Sequence, residues 1–278
     1  MLVKLTRKIE QYDKNSFWAS DFGKPLIEIY WNWKKEPYTN PPQWYDTLKW
    51  SAGKGVEEAM LQVLKDSDVV AEDYDQKEHG RIEMERNGIK VSGYCDALTK
   101  EGIPIEIKSI NNANKFDIAK YEKGEPRENY VGQLAIYMDA LGKDLGHLFV
   151  SSIDGLNRFW FECKRLDGRK FKCGNVEVDL DEQYKKWSKL KLEHIDKDIV
   201  PDVFEIRYKY PIEEIEWGQV SKTDIGKARN GHKVLGDWNV SYSNWKHKLI
   251  ELQGETEGYT PDELTRIKEL TKGFTTWS

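Results

Sequence analysis

Cysteine is scarce in this chain: three residues, Cys95, Cys163 and Cys173, odd in number and scattered over 278 positions. That count argues against a disulfide scaffold and fits a reducing compartment. Long apolar runs are missing as well. No stretch approaches the roughly 20 residues that span a bilayer, and the opening Met1–Glu10 is too charged for a secretory signal. The expectation is a cytoplasmic protein with no membrane contact. Nor is positive charge in excess. The net charge is −5, so the sum of charges does not announce a nucleic-acid partner. Distribution counts for more than the sum, and cations do gather at Lys115, Lys120, Lys123 and Arg127. On charge alone, a solvated loop explains that group as well as a phosphate-binding strip.

What the chain has is bulk and aromatics. At 38% hydrophobic and 12% aromatic, it can build one large domain or a domain with an extension. Residues 15–50 hold Trp18, Trp31, Trp33, Trp44 and Trp50 with Pro41 and Pro42. Aromatics this dense are expected to pack a core, with stacking platforms for single-stranded bases as the less favoured reading. Ser20-Asp21 reads as the cap of a helix through Ile27 to Trp33.

A long helical pattern follows, from Pro42 to about Leu64, with Trp44, Leu48, Ala52 and Val56 four apart. Inside it lies Gly53-Lys54-Gly55-Val56-Glu57-Glu58. Glu58 falls on an ordinary polar face, whereas Glu57 shares a face with Met60, Leu61 and Leu64. An acid among apolar neighbours is costly unless it is paired or bound to metal. Glycines at 53 and 55 weaken a helix and permit close backbone approach. Asn87-Gly88 marks a hairpin between Arg81–Glu85 and Lys90–Leu98. A turn at Thr99–Gly102 leads to a third strand, which predicts a three-stranded antiparallel meander. Residues 110–127 are polar, with Gly124 and Pro126 breaking any helix. Helix returns from Glu128 to Leu141, closed by Gly142. Two strands, Leu145–Ser152 and Arg158–Leu166, and a helix from Asp179 to about Ile195 complete the series.

The third strand carries the chemistry. Ile103, Ile105 and Ile107 alternate with Glu106 and Lys108, so the acid and the lysine point to one side. Asp96 lies roughly opposite them across the hairpin. Two carboxylates and an amine on one sheet face suit a hard divalent cation, which takes oxygen ligands. The Ile107 carbonyl offers a further ligand. Such a site serves phosphodiester hydrolysis, in which the metal activates water and offsets phosphoryl charge while the lysine orients the nucleophile. A second acid-x-lysine pattern, Glu162-Cys163-Lys164 after Asp154, competes with it.

Asp-x9-Glu-x-Lys on a hairpin resembles the PD-(D/E)XK nuclease superfamily, with Tyr-Cys-Asp in place of Pro-Asp. The order of elements resembles its RecB-like branch, and the acid-lysine spacing is similar to that of lambda-type phage exonucleases. In that branch the helix before the strands carries Gly-x-x-x-His or Gly-x-x-x-Glu, matched here by Gly53 to Glu57. The helix after them carries Gln-x-x-x-Tyr, matched by Gln133 and Tyr137. The likeness covers about residues 15–200. Glu162-x-Lys164 has no suitable acidic helix just ahead of Asp154 and no Gln-x-x-x-Tyr helix after it, and is read as a structural strand, with lining of a DNA groove as the alternative.

The resemblance implies an α/β fold (α+β by local connectivity) with a restriction-endonuclease-like core: a mixed central sheet of about five strands flanked by helices. The core takes residues 1–200. Residues 201–278 are expected to form a C-terminal extension, with Trp217, Trp238, Trp245, Trp277, Lys222, Lys227, Arg229 and Lys233, and a last helix opened by the capping box at Thr260. It packs on the core, the favoured reading, or caps the cleft or binds DNA. The implied activity is a Mg²⁺- or Mn²⁺-dependent deoxyribonuclease, an exonuclease of phage or bacterial recombination or repair, working in the bacterial or phage-infected cytoplasm. An endonuclease on the same core and a non-hydrolysing DNA-binding subunit are the alternatives. Glu57, Asp96, Glu106 and the Ile107 carbonyl are the implied metal ligands, Glu57 directly or through water. Lys108 orients or activates the attacking water, Gln133 positions Lys108 or the phosphate, and Tyr137 packs or hydrogen-bonds beside it. Lys54, Lys115, Lys120, Lys123 and Arg127 are the implied DNA contacts. Some RecB-like relatives hold an iron–sulfur cluster on four cysteines; the spacing here predicts none. Lambda-type relatives form rings, which leaves a homo-oligomer and a recombination or replication partner open.

Overall fold

The computed structural model describes residues 13–111 and 115–274; Met1–Glu10 and Trp277 lie outside them. It is a mixed α/β protein with two mixed sheets flanked by helices. In chain order the elements are β1 (Phe17–Trp18), α1 (Leu26–Trp33), α2 (Trp44–Asp66), α3 (Gln76–His79), β2 (Arg81–Arg86), β3 (Ile89–Tyr94), β4 (Ala97–Leu98) and β5 (Pro104–Ile110). There follow α4 (Lys115–Glu122), α5 (Glu128–Leu141), β6 (Leu145–Ser152), β7 (Arg158–Asp167), β8 (Lys170–Cys173), β9 (Val176–Asp179) and α6 (Leu180–Leu190). The chain ends with α7 (Lys222–Arg229), α8 (Trp238–Tyr242), α9 (Lys246–Leu252) and α10 (Pro261–Leu270).

The described chain divides into two compact units, one of residues up to 24, 32–34 and 43–199, the other of residues 25–31, 35–42 and 200 onward. The first holds both sheets. A six-stranded sheet runs β4-β5-β6-β7-β8-β9, with β5 and β6 parallel and every other pair antiparallel. A smaller sheet runs β1-β3-β2. The expected meander is therefore split: β2 and β3 pair in one sheet, β4 and β5 in the other, and the chain changes sheet at Cys95-Asp96. The cause is long-range. Cys95 N–H still bonds to the Gly80 carbonyl at 2.7 Å, in register with β2, but its own carbonyl accepts the Tyr74 hydroxyl at 3.0 Å and the Gly80 N–H turns to the Gln76 carbonyl, so the ladder stops there.

Alternation along β5 decides what each face meets. Ile105 and Ile107 pack with Ala97, Phe149 and Leu64, against Met60 and Leu61 of α2. On the other face lies α5; a methyl at Gly146, which shares the parity of Leu148 and Glu106, would come 2.8 Å from Met138 Sδ. The sheet thus sits between α2 and α5, and Glu106 and Lys108 look toward α5. Helix α5 ends at Gly142, whose φ of +63° supplies the left-handed stop. Residues 115–122 form a helix where none was expected, because Gly124 and Pro126 fall beyond its end.

In the second unit Trp31 meets Trp245 at 5.7 Å between ring centroids. The start of α1 is capped by Glu205, whose carboxylate accepts the Leu26 and Ile27 N–H groups at 2.9 and 3.0 Å. The Ser20-Asp21 cap expected there does not form. Asp21 instead accepts the Trp18 N–H at 2.9 Å and pairs with buried Lys14. Ile212, Trp217, Ile225 and Ile267 make a core of their own. Thr260 and Glu263 form the capping box of α10.

Candidate active site

The site is built where β5 loses its neighbour. Strand β4 pairs with β5 only at Ala97↔Ile105 and Leu98↔Pro104, so the edge from Glu106 onward is open on that side. Asp96, just before β4, takes the place of the absent strand. Its Oδ2 accepts the Ile107 N–H at 2.8 Å and its Oδ1 accepts the Gln76 amide at 2.9 Å. A strand residue sends its N–H and carbonyl to the same side, so the Ile107 carbonyl faces this edge with the Asp96 carboxylate.

Glu106 is fully buried. Lys108 Nζ forms an ion pair with its Oε1. No other side chain or N–H group donates to either Glu106 oxygen among the described residues. A buried carboxylate so poorly provided for is expensive. Burial pushes its pKa well above the carboxylate range, and Asp96 adds to the rise against the pull of Lys108. Asp96 is half-buried as a residue, but its carboxyl lies deeper, and burial raises it too despite Lys108 and the Ile107 N–H. Burial alone would lower the Lys108 ammonium; the carboxylates of Glu106 and Asp96 outweigh it and hold the pKa above its usual value.

Glu57 comes from α2, the helix on the Ile105 and Ile107 face of the sheet. Burial raises its pKa, and it also feels the charges of Asp96 and Lys108. Its helix lies close because Gly53 allows it: a methyl there would meet Ser109 Oγ at 2.7 Å. Gly55, expected to do the same, has nothing within 4 Å. Among the described residues no three His, Cys, Asp or Glu side chains are gathered tightly enough to hold an ion by themselves. The fit of a cation therefore rests on fewer protein ligands. The buried Glu106 carboxylate, Oε1 paired to Lys108, forms with Asp96 an all-oxygen donor set that suits Mg²⁺ or Mn²⁺, which keep several waters.

Gln133 and Tyr137 are joined to each other. The Gln133 amide donates to the Tyr137 hydroxyl at 2.9 Å, which donates to the Tyr94 carbonyl at 2.9 Å. This chain fixes the end of β3, two residues before Asp96. No bond from Gln133 to Lys108 accompanies it among the described residues. What Lys108 meets on α5 is Tyr130, whose ring centroid is 5.7 Å from Nζ. Arg127 lies 5.6 Å from the same ring and pairs with Asp117. Sequence reasoning passed over Tyr130 and Gln76. Tyr130 had a signal, since it stands three residues before Gln133 and seven before Tyr137 on one helix face; Gln76 had none.

The other proposed DNA contacts are at the surface. Lys54 is exposed and 3.8 Å from Glu58, Lys120 lies over the Phe116 ring at 4.7 Å, and Lys115 and Lys123 are exposed. In the competing pattern, Glu162 and Lys164 pair with each other on exposed β7, and Asp154 is occupied in a turn with Ser152 at 2.6 Å. Cys163 and Cys173 are buried partners across β7 and β8. No helix among the described residues is long and apolar enough to cross a membrane.

No family profile matches the chain and no curated protein is similar to it. Solved structures are similar over part of its length. LHK-Exo in complex with dAMP is 16% identical, covering 66% of this chain and 89% of that one at a TM-score of 0.42. The alkaline exonuclease LHK-Exo from Laribacter hongkongensis is 15% identical over the same shares at 0.36. SSO0001 is 18% identical over 66% of this chain and 78% of its own at 0.40. Likeness at this level assigns no activity to this chain.

Proposed function

We propose that the protein is a divalent-metal-dependent deoxyribonuclease acting on DNA ends. The observation that carries this reading is Glu106, fully buried, with Oε1 paired to Lys108 and Asp96 beside it. Lys108 neutralises one of these two buried carboxyls; a cation shared between them would neutralise the other. Mg²⁺ or Mn²⁺, when bound, supplies Lewis acidity and offsets negative charge at the phosphoryl group. Glu106, Asp96 and the Ile107 carbonyl would hold it, with Glu57 contributing directly or through water.

The residues divide the remaining work. Lys108 keeps its proton, by the carboxylates around it, and donates to the attacking water or to a phosphate oxygen. Its ammonium is steadied by the Tyr130 ring. Gln133, Tyr137 and the Tyr94 carbonyl hold the segment that presents Asp96. Arg127, next to Tyr130, and the exposed Lys54, Lys115, Lys120 and Lys123 contact the DNA backbone. Action on ends rather than within closed duplexes follows the resemblance of Gln133-x-x-x-Tyr137 to the end-processing branch.

The test compares Lys108→Ala with the parent protein on linear and closed circular DNA in Mg²⁺. The parent is expected to degrade linear DNA and leave circles intact. Lys108→Ala is expected to lose at least about 100-fold in cleavage while still binding DNA. Full cleavage by that variant would refute the site, and efficient cutting of closed circles would refute action on ends.

A further inference from the structure

The tryptophan-rich stretch does not behave as one group. Trp31 is built into packing, whereas Trp44 and Trp50 stand 47% and 54% exposed on α2. Helical period tells these two apart. Trp50 is seven residues before Glu57, nearly two full turns, so the two side chains leave the helix within about 20° of each other. Gly53 and Leu64 fall on the same stripe. Along it Leu64 is buried in the core, Glu57 is half-buried at the site, and Gly53 touches Ser109 one residue before the end of β5. One turn further the stripe runs past the sheet, and Trp50 is what it presents to solvent. Trp44 lies roughly 120° away around the helix.

A tryptophan left in water on the core-facing stripe of a helix calls for an occupant. Two features of its surroundings identify one. The stripe is continuous with Glu57, so whatever covers Trp50 also reaches the candidate site. Lys54, four residues on, lies about 40° round the helix from it, whereas Lys49, the residue before, lies about 100° round with its Nζ 5.2 Å from the Tyr45 ring. Lys54 and its partner Glu58, at 3.8 Å, form an exposed pair that contributes little and exchanges readily for phosphate. A flat exposed indole with an exposed cation one turn away on its own face matches an unpaired base with a neighbouring phosphate. In closed duplex the base faces are hidden by stacking.

We propose that Trp50 is a stacking platform for an unpaired base of the substrate strand, with Lys54 against an adjacent phosphate. The inference rests on the deoxyribonuclease reading and names its substrate: a strand single-stranded near the cleaved bond. Trp50 and Glu57 are about 10 Å apart along the helix, which corresponds to roughly three stacked nucleotides. Trp50 is a positioning residue and touches no reacting atom.

Fluorescence anisotropy without divalent metal separates binding from cleavage. Labelled single-stranded oligonucleotides and a blunt hairpin duplex are titrated with the parent, Trp50→Ala, Trp50→Phe and Trp44→Ala. Trp50→Ala is expected to weaken single-strand binding about 5- to 100-fold, Trp50→Phe to recover most of it, and Trp44→Ala to match the parent. The blunt hairpin should respond little to any of them. Unchanged binding by Trp50→Ala, or an equal loss in Trp44→Ala, would overturn the proposal. So would a change of sedimentation mass in Trp50→Ala, which would assign the face to a second copy of the chain. If the parent cleaves DNA and Trp50→Ala binds normally, the stacking idea fails and the nuclease reading stands. If the Trp50 effect is seen but Mg²⁺ elicits no cleavage, the reverse holds. A parent that binds no oligonucleotide defeats both.

Discussion

Burial raises the Glu106 carboxyl well above the ordinary carboxylate range, and Asp96 beside it acts in the same direction. A carboxyl whose pKa is higher in the folded than in the unfolded chain favours folding while it is protonated. That contribution is complete below the unfolded value and disappears as pH rises through the folded one. Glutamine imitates the neutral acid at every pH. In EDTA, the melting temperature of Glu106→Gln relative to the parent is therefore expected to climb steadily from pH 5 to pH 8, as thermal unfolding followed by circular dichroism will show. A gap that stays constant would mean that Glu106 is not strained by its surroundings. Added Mg²⁺ should narrow the gap at high pH, because the ion stabilises the charged form that glutamine cannot adopt.

Helix α2 is positioned by one glycine and merely weakened by the other. At Gly55 a methyl meets nothing within 4 Å, so Gly55→Ala is expected to stabilise the protein by about 0.5–1 kcal/mol. At Gly53 the same gain is opposed by Ser109 Oγ at 2.7 Å. Gly53→Ala should give no stabilisation, and removing the hydroxyl with Ser109→Ala should release it. A double-mutant cycle by chemical denaturation measures that coupling; additivity would show that α2 does not lean on β5 there. The sequence spoke for α2, α5 and β5 because each declares itself locally, by period, by a glycine stop, or by strict alternation of Ile105, Glu106, Ile107 and Lys108. It was silent where a distant group decides. The pattern from Lys90 to Leu98 reads as one strand, and its pairing stops where the Tyr74 hydroxyl takes the Cys95 carbonyl. Glycine at 80 is itself required, since a methyl would lie 2.4 Å from the Cys95 carbonyl. The start of α1 likewise takes its cap from Glu205, a residue no local window contains.

At the scale of the molecule, the division of the chain is not a cut at one position. A boundary near residue 200 is the natural reading of a sequence whose motifs end there, yet residues 25–31 and 35–42 belong to the same compact unit as the C-terminal part. The packing within that unit explains the membership. Trp31 is 1% exposed and rests on Trp245; the Trp245 indole N–H donates to the Glu36 carbonyl at 3.0 Å, and Asn40 donates to the Ser243 carbonyl at 3.0 Å. A chain ended at residue 199 keeps Trp31, Glu36 and Asn40 but loses all of these partners, together with the Glu205 cap of α1. It is expected to aggregate or bind an apolar-surface dye rather than yield a smaller enzyme. In the full chain, Trp245→Ala should cost roughly 3–5 kcal/mol, read by chemical denaturation. A soluble 1–199 fragment that unfolds cooperatively and cleaves DNA would show instead that the N-terminal part of the chain needs none of residues 200–278.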